Sequence, residues 1–296
     1  MTDLFAVAVS PFEVEEWTAA TRITPDLCMI FEAWSRQRDL ADVMAKAKSL
    51  GHRQLVVTWE PWTPTRLGST AAVQGAAQPE WSNQSIVDGK HDEYIDAVAR
   101  AMRLSGLEAI YLRWGHEMNG GWYPWSNNPV AYVAAWKYLR NRIRSIRGAW
   151  NVKLMWAPNP DLWRPVPADW LSRLLPYWPG FPAVDFVGLT MIERGAEGGQ
   201  DYPVDLFAAR TQLTRELFQR PVIAAEVNVV KEKAVEWLGD MAAYVNSSGP
   251  YPVFVLSQGP SRAQAVGNAG DLSWSAVDYP EGRDAIRRLV DALHRG

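Results

Sequence analysis

The chain has 296 residues, 48% of them hydrophobic and 21% charged, which supplies apolar surface for a large core and excludes a disordered polypeptide. Thirty basic side chains against 33 acidic ones give a formal charge of −3 with no long basic run, so the electrostatic footprint of a nucleic-acid or anionic-membrane binder is missing. A single cysteine, Cys28, excludes an intrachain disulfide and a Cys-rich zinc site, and in the apolar run Leu27-Cys-Met-Ile-Phe31 it reads as a small core residue.

From the first residue onward, Met1 to Ser10 has no basic segment and only a short apolar run, so neither a signal peptide nor a membrane span is expected. The chain as given is expected to be cytoplasmic, and secreted only if a leader has been removed from it. Apolar runs of strand length then alternate with helical patterns throughout, the signature of consecutive βα units and a parallel sheet. Eight strands are predicted: Phe5–Ser10, Leu27–Ala33, Gln54–Trp59, Ala109–Trp114, Val152–Ala157, Phe186–Thr190, Val222–Ala225 and Val253–Leu256. Most are continuous apolar runs, as strands covered by helices should be.

Between them, apolar residues recur at helical spacing, as in Tyr94, Val98 and Met102, or Tyr132, Trp136, Leu139 and Ile143. Asn127-Asn-Pro129 offers an asparagine cap with proline in the first turn, and Gly51 and Gly106 fall where helix ends call for a left-handed residue. A last helix near Ala285–His294 closes the pattern. The prediction is one (β/α)8 TIM barrel over residues 1–296, with a doubly wound open sheet as the alternative. Pro61 to Asp88 is the longest irregular stretch and is expected to be a βα loop over the barrel mouth. The pairs Gly120-Gly121 and Gly198-Gly199 make no dinucleotide fingerprint, and the sequons at Asn83 and Asn246 read as chance matches.

In such barrels polar residues at the C-terminal ends of strands are functional candidates by position. Here they are Ser10, Glu32, Glu60, Glu117, Asn159 with Asp161, Glu193, Glu226, and Gln258 with Ser257. Hydrolysis of a glycosidic bond needs one protonated carboxyl to expel the leaving oxygen and one ionised carboxylate to meet the developing oxocarbenium. Glu117 and Glu226 form the best pair, each directly after an apolar strand with polar neighbours. For Glu226, in Pro221-Val-Ile-Ala-Ala-Glu-Val-Asn228, the competing reading is a structural ion pair, for instance with Arg113, because a carboxylate buried alone is very costly. Sixteen tryptophans are more than a core alone explains, since each indole N–H wants a partner, and carbohydrate sites use such amphipathic rings. His52, His91 and His294 sit at helix ends and are expected to face solvent, and no histidine pair has metal-ligand spacing, so no metal or other cofactor is expected.

The stretch Arg113, His116-Glu-Met-Asn-Gly120, Trp122 and Trp125 resembles the motif of glycoside hydrolase family 26, in the clan of retaining (β/α)8 glycosidases. Gly89 with Asp92 and Tyr94, Asn128-Pro with Tyr132 and Trp136, Trp156-Ala-Pro-Asn159, and Val184-Asp-Phe-Val-Gly188 resemble further parts of the family, over nearly the whole chain. The resemblance implies acid/base catalysis by Glu117 and nucleophilic attack by Glu226, with carboxyls roughly 5 to 5.5 Å apart and retained anomeric configuration. Arg113, nearer the nucleophile, is expected to help keep it ionised. His116 and Trp122 are carried over as substrate-binding, with Arg113, Asn119 and Asn159 beside them, while Trp125, Trp156 and Trp59 are platform candidates by position. Two departures touch the sugar-binding side. Ile192 stands where the family usually has a tyrosine that hydrogen-bonds the nucleophile, and Leu256-Ser-Gln258 stands where it often has an aromatic, with Trp274 only later.

The implied activity is cleavage of internal β-glycosidic bonds in a polysaccharide or oligosaccharide, with β-mannan first and mixed-linkage β-glucan or β-1,3-xylan as rivals. The implied partner is that glycan, with neither nucleic acid nor membrane. The alternative is a glycan-binding barrel of the same descent that does not cleave.

Overall fold

The computed structural model describes residues 3–64, 78–160, 169–195, 202–248, 251–258 and 276–295. Eight strands pair in sequence order as a closed barrel: β1 (Leu4–Val7), β2 (Leu27–Ala33), β3 (Gln54–Glu60), β4 (Ala109–Trp114), β5 (Val152–Trp156), β6 (Phe186–Glu193), β7 (Val222–Val229) and β8 (Val253–Leu256). The helices between them are α1 (Val14–Thr21), α2 (Leu40–Ser49), α3 (Asn83–Val87), α4 (Asp92–Leu104), α5 (Pro129–Ser145), α6 (Trp170–Leu174), α7 (Val204–Phe218), α8 (Ala234–Ser248) and α9 (Pro280–Arg295). This is the (β/α)8 architecture that the alternation of strand and helix patterns predicts, and the open sheet is excluded by the pairing of β1 with β8.

Contacts divide the chain into two compact units, Ile30–Gly188 and Met1–Met29 with Leu189–Gly296. In Ile30–Gly188, β3 and β4 pair in register from Gln54 opposite Ala109 to Trp59 opposite Trp114, and β4 continues onto β5 with Ile110 opposite Val152. Every residue of β4 is buried, Arg113 included, so neither face of the strand meets solvent. Helix α4 buries Ile95, Val98, Ala99 and Met102, and α5 buries Tyr132, Ala135, Trp136, Leu139 and Ile143, each a stripe at helical spacing. The Asn128 side chain caps α5 by accepting from Ala131 N–H at 3.0 Å, with Pro129 in the first turn. Gly51 and Gly106 adopt φ of 85° and 71° after α2 and α4, as helix exits require.

In the other unit β1 lies between β2 and β8, with Leu4 opposite Val253 and Ala6 opposite Leu27. Helix α9 is amphipathic, burying Ala285, Ile286, Leu289, Val290 and Leu293.

Three sequence expectations need correction. The stretch from Pro61 to Asp88 is not wholly irregular, because a 3-10 turn at Pro79–Trp81 leads into α3, capped by Ser82, whose Oγ accepts from Ser85 N–H. β6 and β7 run on to Glu193 and Val229, beyond the ends that their apolar runs suggest. His52 is buried rather than solvent-facing. Asp161, Trp274 and the Gly198-Gly199 pair lie outside the described residues. Among the described residues no helix is long and apolar enough to cross a membrane, and no cluster of His, Cys, Asp and Glu could hold a metal ion.

Cys28 in β2 is fully buried, and burial pushes its thiol up to about 12. A thiol reagent at about pH 8 is therefore expected to leave the native protein unlabelled and to label one group per chain in denaturant. Native-state labelling within minutes would contradict the packing of β2.

Candidate active site

The loop that follows β4 begins with two left-handed residues, Gly115 at φ 53° and Glu117 at φ 52°. At Gly115 a side chain would press on Tyr132 and Trp125, which explains the glycine. At Glu117 there is no such freedom, and the backbone is held by its N–H donating to Ala157 O at 2.7 Å and its carbonyl accepting from Gly120 N–H at 2.9 Å. This turn lifts the glutamate off the buried strand and leaves it half-exposed.

Both oxygens of the Glu117 carboxylate are engaged. Trp122 Nε1 donates to Oε2 at 3.1 Å and Asn159 Nδ2 donates to Oε1 at 3.2 Å. The Trp122 ring lies so close over Gly120 that a Cβ there would run into it. Asn159 is held in turn by a reciprocal pair with Asn119, whose Nδ2 donates to Asn159 O at 2.9 Å and whose Oδ1 accepts from Asn159 N–H at 2.8 Å. Asn119, expected to bind substrate, therefore uses both side-chain polar atoms on the backbone of the loop after β5 and acts as a brace.

His116 is buried, with Nε2 3.0 Å from Tyr123 Oη and its carbonyl accepting from Trp125 Nε1 at 2.7 Å. Burial, reinforced by the Arg113 guanidinium, holds the imidazole pKa well below its ordinary range. Glu60 Oε1 lies 4.0 Å from Nε2, but a single carboxylate at that range does not outweigh the loss of hydration, so His116 is neutral. Arg113 is itself fully buried and donates to Thr58 Oγ1 at 3.4 Å.

Trp59, Trp125 and Trp156 have no exposed surface, so the platform reading of these three is corrected. Trp59 packs on Trp34 at 4.6 Å and donates to Tyr94 Oη, and Trp156 packs on Trp178 at 5.0 Å. Trp125 stacks under Tyr123 at 4.3 Å with 11° between the rings. The rings that do reach solvent in Ile30–Gly188 near His116 and Glu117 are Trp122, Tyr123 and Phe31, the last 37% exposed with its ring 6.5 Å from that of His116. Phe31 carries no role in the sequence reading. The signal for Phe31 was its place between buried Ile30 and Glu32 on a strand of period two, hidden inside an apolar run.

Other strand-end carboxylates have structural uses. Glu32 is fully buried, its Oε1 accepting from Arg38 N–H at 3.0 Å and its Oε2 3.2 Å from Arg38 Nε, and burial raises its pKa despite those partners. Glu193 accepts from Gly195 N–H at 2.5 Å and from Tyr202 N–H, closing the loop after β6, with Lys233 Nζ at 3.9 Å.

Glu226 lies within β7 and not after it. Ala224 faces Phe254 and Val227 faces Leu256, so three steps on β7 match two on β8, and the bulge falls at Ala225 and Glu226. Beyond it Glu226 and Asn228 are half-exposed while Val227 and Val229 are buried. Ile192, near the end of β6, is half-exposed and brings no hydrogen-bonding group.

The family model described as glycosyl hydrolase family 26 matches residues 84–214, the span that contains the Glu117 loop and its brace. Over that span the chain is similar to glycosyl hydrolase family 26. It is 29% identical over 215 residues to endoglucanase H of Acetivibrio thermocellus, a match covering 68% of this chain and 21% of that protein. It is 27% identical over 107 residues to the β-1,3-xylanase TXYA of a Vibrio species, covering 36% of this chain and 22% of that protein. The matches thus span about a fifth of these relatives' own length. The fold is shared with a family 26 β-mannanase from Bacteroides ovatus, at a TM-score of 0.65 and 16% identity over 97% of this chain and 88% of that one.

Two outcomes test this geometry. Asn119→Ala removes both bonds of the brace and is expected to cost about 1–2 kcal/mol in denaturant unfolding. For His116, a neutral buried imidazole contributes stability that is fully present above the unfolded pKa of about 6.5 and is lost as pH falls below it. Thermal melts of His116→Gln are expected to decline less steeply between about pH 6.5 and pH 5 than those of the wild type, whose extra slope approaches ~1.4 kcal/mol per pH unit. Equal slopes would show that the imidazole is not the titrating group.

Proposed function

We propose that this chain is a retaining glycoside hydrolase that cleaves internal β-glycosidic bonds of a polysaccharide or oligosaccharide, with Glu117 as acid/base and Glu226 as nucleophile. The observation that carries the reading is Glu117 itself: a half-exposed carboxylate on a left-handed turn, gripped by Trp122 and Asn159, beside solvent-facing rings of Trp122 and Tyr123. A carboxyl held for structure alone would have no need of an exposed indole on one oxygen. The bulge in β7 supports the second role, because it re-aims Glu226 at the end of an otherwise buried strand.

In the first step a lone pair of the Glu226 carboxylate attacks the anomeric carbon as the bond to the glycosidic oxygen breaks and Glu117 gives that oxygen its proton. In the second, Glu117 takes a proton from water, the water oxygen bonds to the anomeric carbon, and Glu226 leaves as carboxylate. Each Glu117 oxygen accepts one of these hydrogen bonds and has a second lone pair, so the proton can be carried on either oxygen with Trp122 and Asn159 still donating. β-Mannan is the first substrate of this reading, on the resemblance of the motif. Mixed-linkage β-glucan and β-1,3-xylan come next, with the names of the relatives, an endoglucanase and a β-1,3-xylanase, in support of a glucan and a β-1,3-xylan.

Turnover of the three polysaccharides by wild type, Glu117→Ala and Glu226→Ala tests the proposal. Both variants are expected to lose about 10²–10⁴-fold in rate, and the first-formed product is expected to keep the β configuration by NMR. Equal turnover by all three proteins sinks the assignment. A second reading, a barrel that binds glycan without cleaving it, is favoured by Ile192, which gives the nucleophile no hydroxyl partner. Calorimetric binding of an oligosaccharide with no reducing ends after long incubation would establish it.

A further inference from the structure

We propose that Asn228 is a sugar-binding residue, donating from Nδ2 to an oxygen of the neutral β-linked sugar that Glu226 attacks, and that Gln258 is the positioning residue that fixes its amide. The inference rests on the reading of Glu226 as nucleophile. From Glu226 onward exposure along β7 alternates, so Asn228 projects from the same face as Glu226, roughly 7 Å further along the strand. Both are half-exposed where their neighbours are buried.

The orientation of the Asn228 amide is set by three backbone groups. Ala276 N–H donates to Gln258 Oε1 at 2.8 Å, which places the Gln258 amine on the other side, where it donates to Val229 O at 2.8 Å and to Asn228 Oδ1 at 2.5 Å. Asn228 Oδ1 also accepts from Val229 N–H at 2.9 Å. Exchanging oxygen and nitrogen in either amide would set donor against donor, so the assignment is determined by the network. Gln258 is 1% exposed, and a buried primary amide is tolerated only with its bonds made. One of those bonds does nothing but hold Asn228.

The result is asymmetric. The Asn228 oxygen is saturated, while Nδ2 has no partner among the described residues and reaches solvent. A fixed neutral donor recognises oxygen lone pairs. Beside the Glu226 carboxylate an anionic group would be repelled, which leaves the hydroxyl or ring oxygens of a neutral sugar. At the end of β8, where the resemblance leads to an aromatic, the described residues are Leu256, Ser257 and Gln258, so the group offered there is an amide.

The test measures kcat, KM and melting temperature for wild type, Asn228→Ala, Asn228→Asp, Gln258→Glu and the Asn228→Ala/Gln258→Glu double variant. The substrate is whichever of β-mannan, mixed-linkage β-glucan and β-1,3-xylan the wild type hydrolyses fastest. Asn228→Ala is expected to lower kcat/KM by about tenfold. Asn228→Asp keeps the oxygen that Gln258 and Val229 need but turns the donor into a charged acceptor, and is expected to lose at least as much. Gln258→Glu sets an oxygen against Asn228 Oδ1, favours the reversed amide and is expected to reproduce the loss, with the double variant no worse than Asn228→Ala alone. A loss of about threefold or more in both Asn228 variants at near-native melting temperature, with losses that fail to multiply in the double variant, supports the proposal. Smaller losses, losses that multiply, or unfolding of both Asn228 variants overturn it. A folded wild type that cleaves none of the three polymers overturns the hydrolase reading instead.

Discussion

Glu117 holds a backbone conformation that a glutamate does not choose. At φ 52° its Cβ is crowded by the following carbonyl, a cost on the order of 1 kcal/mol that glycine would avoid. The surroundings over-determine it. Ala157 O takes its N–H, Gly120 returns to its carbonyl, and the Asn119–Asn159 pair ties the loop after β4 to the loop after β5. Only with that tie in place does Asn159 Nδ2 sit where it can hold the carboxylate, so the carboxylate, its donors and the strained turn form one mechanical unit. Gly120 completes it by admitting the Trp122 ring.

Much of the architecture is legible in the amino-acid order because barrel strands covered by helices are apolar on both faces and the helices between them keep their stripes. The ends are less legible. β7 was expected to stop at Ala225, since Glu226 breaks the apolar run, yet a bulge lets the strand carry a half-exposed glutamate and an asparagine in pairing. Bulges leave no compositional mark. Tryptophans show a second limit: Trp59, Trp125 and Trp156 sit at strand ends or in the loop by sequence, and position alone cannot say which way an indole points. In Ile30–Gly188 the pleat and the turn send these three inward, while Trp122, Tyr123 and Phe31 stay at the surface.

Strand-end carboxylates divide by what they touch. Glu32 and Glu193 are fully buried and accept backbone N–H groups, so each closes a loop: Arg38 is held back to β2 by Glu32, and Gly195 and Tyr202 are held to β6 by Glu193. Such groups are enclosed and unavailable. Glu117 and Glu226 differ in being half-exposed, and the Glu117 carboxylate accepts from side chains, Trp122 and Asn159, that can move. Exposure together with side-chain partners, more than placement at a strand end, marks a carboxylate that can exchange a proton with a ligand.

The two glutamates are also anchored by different means, which follows from what each is proposed to do. An acid/base group must change protonation state twice in a cycle, and its hydrogen bonds must accommodate both states. Side-chain donors on a loop, such as Trp122 and Asn159, can adjust by small rotations. A nucleophile must instead be held at a fixed distance and kept ionised, which suits a residue inside a paired strand, aimed by a bulge and flanked by an amide whose own orientation is locked through Gln258 to backbone groups. On the proposed roles, a double displacement asks for an adjustable acid/base and a fixed nucleophile, and a loop carries the one while a paired strand carries the other.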